Sequence, residues 1–260
     1  MLDDGGFTLS IGEALQPGDA FNGGLIKQGS GTVYLDIGNS YTGTTVVTNG
    51  MLAGVGYVAG PVVVAPAGNL GAGDAGGTGN FTTYNNLTLQ GNATLRINKT
   101  GGTTAQDQVS VVGNISYGGI LTVTNITSDA NVLATTDTFQ LFNSLSSGSH
   151  SGNFSSIVGS PGAGLAYSFN TNNGVLSIIT QTYASNPTNI TARVSGHQLT
   201  LTWPSDHIGW ILQAQTNALS TGLTIPTNTW FDVAGSSSNN TNIMIINPAN
   251  PTVFYRLRHP

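Results

Sequence analysis

The sequence predicts an all-β protein, and three observations predict it. Gly, Asn, Thr, Ser and Val dominate the 260 residues, with 36 glycines and a single glutamate, Glu13. These residue types favour turns and strands over helices. No window of a dozen residues carries a sustained apolar pattern at i, i+3, i+4 and i+7, which is the mark of a surface helix. Short alternating segments recur instead, separated by tight turns that contain glycine.

The elements follow in order. GFTLSIGEAL (6–15) sets Phe7, Leu9 and Ile11 on one face, which reads as a strand. In GGLIKQGSGTVYLDIGNSYTGTT (23–45), Val33, Leu35 and Ile37 are expected as inward rungs, with the threonines toward water or a neighbouring strand. A glycine-rich run, GPVVVAPAGNLGAGDAGGTGN, fills 60–80. Across 80–182 the pairs Leu87/Leu89, Leu95/Ile97, Val109/Val111 and Leu121/Val123 alternate between the turns QGN, VGN and YGG. Strands this short, with no helices between them, suit a β-solenoid or a flat sandwich. YASNPTN (183–189) reads as a linker, because Pro187 cannot donate to a ladder. Beyond it come six longer segments: ITARVSG, HQLTLTWP, GWILQAQTN, TWFDVAG, TNIMIIN and TVFYRLR. Leu199, Leu201 and Trp203 share a face, as do Trp210, Leu212 and Ala214, so 190–260 is expected to be an antiparallel sandwich.

Composition limits the function classes. Charged residues make up 7% of the chain, against roughly 25% in ordinary globular proteins. The net charge is −5 and the six basic residues are spread from Lys27 to Arg258. That leaves no basic patch for a nucleic acid. No run of apolar residues is long enough for a transmembrane helix. With no cysteine there is no disulfide, thiolate metal site or thiol nucleophile. The opening MLDDGGFTLS lacks the basic and apolar regions of a secretory leader, so an exported protein would be represented here by a mature or partial form. No C-terminal sorting signal is evident, and no alternating series is long enough for an outer-membrane barrel.

The stretch GGLIKQGSGTVYLDIGNSYTGTTVVTNGMLAGV (23–55) resembles the autotransporter-associated β-strand repeat, which reads G-G-L-x-K-x-G-x-G-T-L-x-L, then N-x-Y-T-G-x-T, then a Gly-x-Leu. The matching positions are Gly23, Gly24, Leu25, Lys27, Gly29, Gly31, Thr32, Leu35, Asn39, Tyr41, Thr42, Gly43, Thr45, Gly50 and Leu52. The segments DQVSVVGNISYGGILTVTN and TTDTFQLFNSLSSGSHSGNFSSI look like the region that follows such repeats in large bacterial surface proteins. LTLTWPSDHIGWILQAQTN through VFYRLR resembles an immunoglobulin- or fibronectin-like module. The resemblance implies a parallel β-solenoid followed by a β-sandwich, exported to the cell surface or beyond, with no shared catalytic residues. It divides the chain into an N-terminal strand plus repeat (1–79), a continued solenoid or sheet region (80–182), the linker (183–189) and the sandwich (190–260). One clear repeat, rather than an array, is present.

Catalytic and metal constellations are thin. Ser205, Asp206 and His207 are consecutive, whereas a triad needs side chains that converge with the histidine between the other two; a polar turn is expected. His150, His197, His207 and His259 lack metal-ligand spacing. Glu13 has no neighbouring carboxylate for glycoside hydrolysis. Asp74, within GAGDAGGTGN, is too solitary for a calcium-binding glycine-rich repeat, so a turned glycine loop is expected. No enzyme activity and no cofactor are expected. Trp203 and Trp210 are in phase with core leucines; Trp230 is the candidate glycan contact. Candidate glycosylation sequons stand at Asn80, Asn86, Asn92, Asn98, Asn114, Asn125, Asn153, Asn189 and Asn239, a modest excess over chance in so Asn-, Ser- and Thr-rich a chain.

The two ends suggest self-association. A fibronectin-type sandwich has seven strands, and only six segments follow the linker. Val253, Tyr255 and Leu257 are therefore expected on a C-terminal edge strand lacking a neighbour. Phe7, Leu9 and Ile11 form the candidate assembly strand, either pairing with a neighbouring molecule or capping its own chain. The expected function is that of a secreted or cell-surface structural protein assembling head to tail into filaments, with self-association as the main partnership. The alternatives are a glycan-binding adhesin module and, more remotely, a β-helix enzyme acting on glycans.

Overall fold

The computed structural model describes residues 1–18, 23–182, 184–224, 229–250 and 252–259. Tyr183, the first residue of the expected linker, lies outside the described residues. The fold is all-β; its short helices are single 3-10 turns such as Ser205–His207. The chain forms two compact units, Met1–Gln181 and Thr182–Pro260.

The first unit is built on three parallel sheets. One contains Leu2–Asp3, Leu25–Gln28, Thr45–Val47, Val62–Val64, Leu87–Leu89, Ile115–Tyr117 and His150–Gly152, in that spatial order. The second runs Thr8–Ile11, Thr32–Leu35, Gly50–Ala53, Gly68–Leu70, Asn92–Asn98, Ile120–Asn125 and Ser156–Val158. The third runs Gly38–Asn39, Tyr57–Val58, Asn80–Thr83, Gln108–Val111 and Phe142–Ser144, from one side to the other. From Leu25 to Val158 the chain visits first, second and third sheet in a repeating cycle, interrupted only by Ala105–Gln106, which folds back antiparallel on the second sheet, and Thr138–Gln140, which joins a separate antiparallel sheet.

In the middle of the stack, strands of three residues such as Thr45–Val47, Val62–Val64 and Leu87–Leu89 suffice because alternation buries their two outer residues. Val62 and Val64 are fully buried on either side of half-exposed Val63. The register then stacks like on like. Val33, Leu52, Leu70, Ala93 and Leu121 are consecutive partners across the second sheet and none is exposed. Leu25, Thr45, Val62, Leu87 and Ile115 form the matching column of the first. Thr45 is tolerated in it because its hydroxyl meets the Tyr41 hydroxyl at 2.7 Å, which removes the penalty of an unpaired buried hydroxyl.

Ile37 departs from the expected inward series: Val33 and Leu35 are buried, but Ile37 is 41% exposed. The strand ends at Leu35 and the chain turns toward Gly38–Asn39, so the period of two breaks at Asp36–Ile37. Phe7 departs likewise. Leu9 and Ile11 pack on the core, whereas Phe7 precedes the strand Thr8–Ile11 and is 71% exposed. Positive φ angles at Gly5 and Gly6 turn the chain just before it.

Parallel stacking gives way to an antiparallel sheet, Thr138–Gln140, Val175–Thr180 and Leu165–Asn170, in the last part of the unit. Tyr117, Phe142, Phe154 and Phe169 meet there with ring centroids 5.3–5.9 Å apart. Burial pushes the Tyr117 hydroxyl pKa up.

The second unit consists of two three-stranded antiparallel sheets. One runs Thr191–Ser195, Gln198–Thr202, Thr241–Ile245; the other runs Phe231–Asp232, Ile211–Thr216, Val253–Arg258. Leu201, Trp203 and Leu212 form its buried centre, with Leu199, Met244, Tyr255 and Leu257 packed around them.

Candidate functional site

The positions that carry the resemblance in 23–55 converge on a buried lysine. Lys27 has no exposed surface. Its Nζ lies 2.5 Å from Asp4 Oδ2 and donates to the carbonyls of Gly29, Gly31 and Asn49 at 2.8–2.9 Å. A buried ammonium is tolerable only when paired and hydrogen-bonded, and the glycines make that geometry. Gly50 has φ +65°, and a β-carbon there would collide with the ammonium and with the Gly31 carbonyl. The Lys27 ammonium holds the Asp4 carboxyl below the usual carboxylate range; burial opposes this, and the N–H groups of Gly6 and Gly31 assist it. Asn39, also buried, accepts from Leu15 N–H and donates to the carbonyls of Ile37 and Tyr57. Lys27 and Asn39 thus tie the N-terminal segment 4–15 to the strands that follow. The sequence showed Lys27 but not its partner; the signal was a lone cation among glycines and aliphatics.

The candidate assembly strand is placed by this tie. Thr8–Ile11 pairs in parallel with Thr32–Leu35, Leu9 beside Val33 and Ile11 beside Leu35. Among the described residues its other edge has no partner strand. Ser10 points outward and donates to Asp36 at 2.8 Å. Glu13 and Asp3 are exposed nearby in sequence.

In the second unit, Val253–Arg258 also lies at a sheet edge among the described residues, paired only with Ile211–Thr216. Tyr255 and Leu257 turn into the core. The opposite sheet is left open: every residue of Thr191–Ser195 is exposed, Val194 by 61%. A cleft of about 270 Å³ opens beside these strands, lined by Val194, Leu199, Met244, Val253 and Tyr255 among others. Arg193 is exposed, and Arg258 is 41% exposed at 3.6 Å from Asp232.

Trp230 is not an open glycan platform. It is 6% exposed, its Nε1 donates to the Thr224 carbonyl, and the Arg256 guanidinium covers its ring at 4.2 Å. Arg256 is itself held by Gln213, so the face that would stack on a sugar is occupied by a cation. Trp203 and Trp210 are buried, the latter donating to the Ala184 carbonyl.

Ser205, Asp206 and His207 form a 3-10 turn in which the histidine faces away from catalysis. His207 Nδ1 lies 2.7 Å from Asp206 Oδ1 and Nε2 lies 2.8 Å from the Asn186 carbonyl. Two acceptors favour the doubly protonated ring; the Asn186 carbonyl, then Asp206, raise its pKa against the effect of burial. With both nitrogens so engaged, neither serves Ser205 as a base. Of the other histidines, His150 contacts the Tyr117 hydroxyl and the Thr171 carbonyl, His259 packs edge-on against the Trp210 ring with centroids 5.1 Å apart, and His197 is exposed. Among the described residues no three His, Asp or Glu side chains are grouped to hold a metal.

The glycine-rich loop is wrapped around an arginine. Arg96 donates to Asp107 and to the carbonyls of Ala72, Asp74 and Gly77. The Asp74 carboxylate accepts from the Gly76 and Gly77 N–H groups, closing a turn. Several sequon asparagines are engaged in a similar manner. Asn86 accepts from Asn114 N–H, Asn92 from Ile120 N–H and Asn114 from Ser149 N–H. Each links one strand layer to the next, a structural use for asparagine at these corners. Asn80, Asn86, Asn114, Asn125, Asn153, Asn189 and Asn239 are exposed; Asn92 and Asn98 are half-buried.

No helix among the described residues is long and apolar enough to cross a membrane. In comparisons with known proteins, no family model matches the chain and no curated protein does.

Proposed function

We propose that this chain is an extracellular or cell-surface structural protein whose first unit is a β-solenoid of the autotransporter-associated type. Its second unit acts as an immunoglobulin- or fibronectin-like module, and molecules join through their strand edges. The observation that carries this reading is the repeated cycle through three parallel sheets, with aliphatic side chains stacked in register. Such stacking builds an extended scaffold from nearest-neighbour contacts. The meeting of Lys27, Gly29, Gly31 and Gly50 at one point gives the resembling motif a mechanical purpose: it fastens the N-terminal segment to the scaffold. Few charges and many hydroxyls and amides suit a persistent surface structure.

The test is sedimentation velocity and negative-stain microscopy of the purified full chain over a concentration series. Elongated particles that grow into filaments support the reading. A compact monomer at all concentrations refutes the self-association.

A further inference from the structure

Resting on the self-associating reading, we propose that the edge strand Thr8–Ile11 of one molecule adds directly to the edge strand Val253–Arg258 of a second copy, without leaving its own sheet. Strand exchange is opposed at home. Leu9 and Ile11 are packed against the core, and Asp4, immediately upstream, is tied to buried Lys27. What remains available is the outer edge of the strand, whose backbone groups can pair with another strand.

Charge selects the partner edge. Close in sequence to the N-terminal edge strand are exposed Asp3, on the end strand of the first sheet, and exposed Glu13, two residues past Ile11, while Asp36 is bonded to Ser10 of the strand itself. The second unit's edge strand carries Arg258, 3.6 Å from Asp232, and Arg256, whose guanidinium lies over Trp230, with exposed Arg193 on the facing sheet. Pairing either edge with its own kind would bring like charges together; pairing one with the other sets carboxylates against guanidinium groups. Apolar shape points the same way. Phe7 stands exposed at the start of the N-terminal strand, and the cleft lined by Val194, Leu199, Met244 and Tyr255 has room for its ring. The contact is heterologous, so its repetition yields an open filament rather than a closed dimer.

The experiment uses three full-length chains: wild type, Phe7→Asp and Val194→Asp. Both substituted residues are exposed, so native far-UV circular dichroism is expected for each. Each variant alone is expected to need at least about tenfold more protein for assembly, the loss typical of an apolar anchor. Mixed together, the two variants retain one good edge each and are expected to form a 1:1 heterodimer. Wild-type assembly that neither substitution weakens overturns this inference and leaves the structural reading standing. Wild type that does not assemble at all refutes that reading too. Should either variant misfold, Glu13→Lys and Arg193→Glu replace them: each alone weakens assembly and the mixture restores it. Equal behaviour of singles and mixture refutes the proposal.

Discussion

Replacing Lys27 with methionine tests the most unusual feature of the first unit. The methionine is close in length and apolar, so packing is nearly retained while the charge and three donors are lost. The structure specifies what loses a partner: the Asp4 carboxylate loses its counter-ion and keeps the N–H groups of Gly6 and Gly31, and the carbonyls of Gly29, Gly31 and Asn49 each lose a donor. Removing one partner of a buried ion pair costs about 3–5 kcal/mol. For a unit of this size, 1 kcal/mol moves the melting midpoint by roughly 2–4 °C, giving a fall of roughly 6–20 °C if the unit melts as a whole. The tie lies at the N-terminal end of the stack, so an alternative outcome is local release of residues 4–15 with a smaller change in midpoint. Two measurements separate these. Calorimetry reads the midpoint, and hydrogen exchange reads the amides of Leu9, Ile11 and Leu15. All three tryptophans belong to the second unit, so their fluorescence transition serves as an internal control and should not move. A variant with unchanged midpoint and unchanged exchange at Leu9 and Ile11 would show that Lys27 does not fasten this end. Acid should mimic the substitution. The Asp4 pKa is lowered in the folded chain, so its contribution is present above the unfolded value near 3.9 and is lost as pH falls through the folded one.

Leu52→Ala removes a fully buried side chain from the middle of the Val33–Leu52–Leu70 column and should cost about 2–5 kcal/mol, read by denaturant titration of the full chain. Tyr41→Phe leaves the Thr45 hydroxyl buried without its partner and should cost about 1–3 kcal/mol in the same titration, whereas adding Thr45→Val should recover much of it. His207 gives the second unit a pH response of opposite sign to that of Asp4. Its folded pKa is raised, so its contribution is complete below the unfolded value near 6.5 and declines as pH rises through the folded value. Tryptophan fluorescence melts between pH 5 and 9 should show that decline in the wild type and a flatter profile in His207→Gln.

Much of the secondary structure was legible because alternation is a local signal. Leu87/Leu89 and Val109/Val111 are buried as pairs, and each lies on a separate short strand. The register was not legible, because the spacing between stacked positions changes along the chain. Asn39 bonds to Tyr57 at a separation of 18 residues, Asn86 to Asn114 at 28 and Asn114 to Ser149 at 35. A search for a fixed period therefore finds one motif and no array. Ile37 and Phe7 were misplaced for a related reason: alternation extrapolated through a corner assigns the wrong face. The cover over Trp230 is not legible in the sequence, because Arg256 is distant along the chain and reaches it through the sheet.

The sparse charges sharpen this contrast between the units. The first unit has three cations, and each is drawn into an ion pair: Lys27 with Asp4, Arg96 with Asp107, Lys99 with Asp137. Lys27 and Arg96 also collect backbone carbonyls from the tight turns around them. Their withdrawal leaves carboxylates such as Asp3 and Glu13 to set the sign of the N-terminal surface. In the second unit the three cations, Arg193, Arg256 and Arg258, lie on strands, two of them along one open edge. A chain that is 7% charged therefore still carries opposite signs around the two edges proposed to pair. Salt should then weaken association mainly by slowing encounter, since exposed charges are screened over about 8–10 Å at physiological ionic strength. An assembly rate independent of salt from about 0.05 to 0.5 M would mean that the edges meet through backbone and apolar contact alone, and the charge selection argued for them would fail.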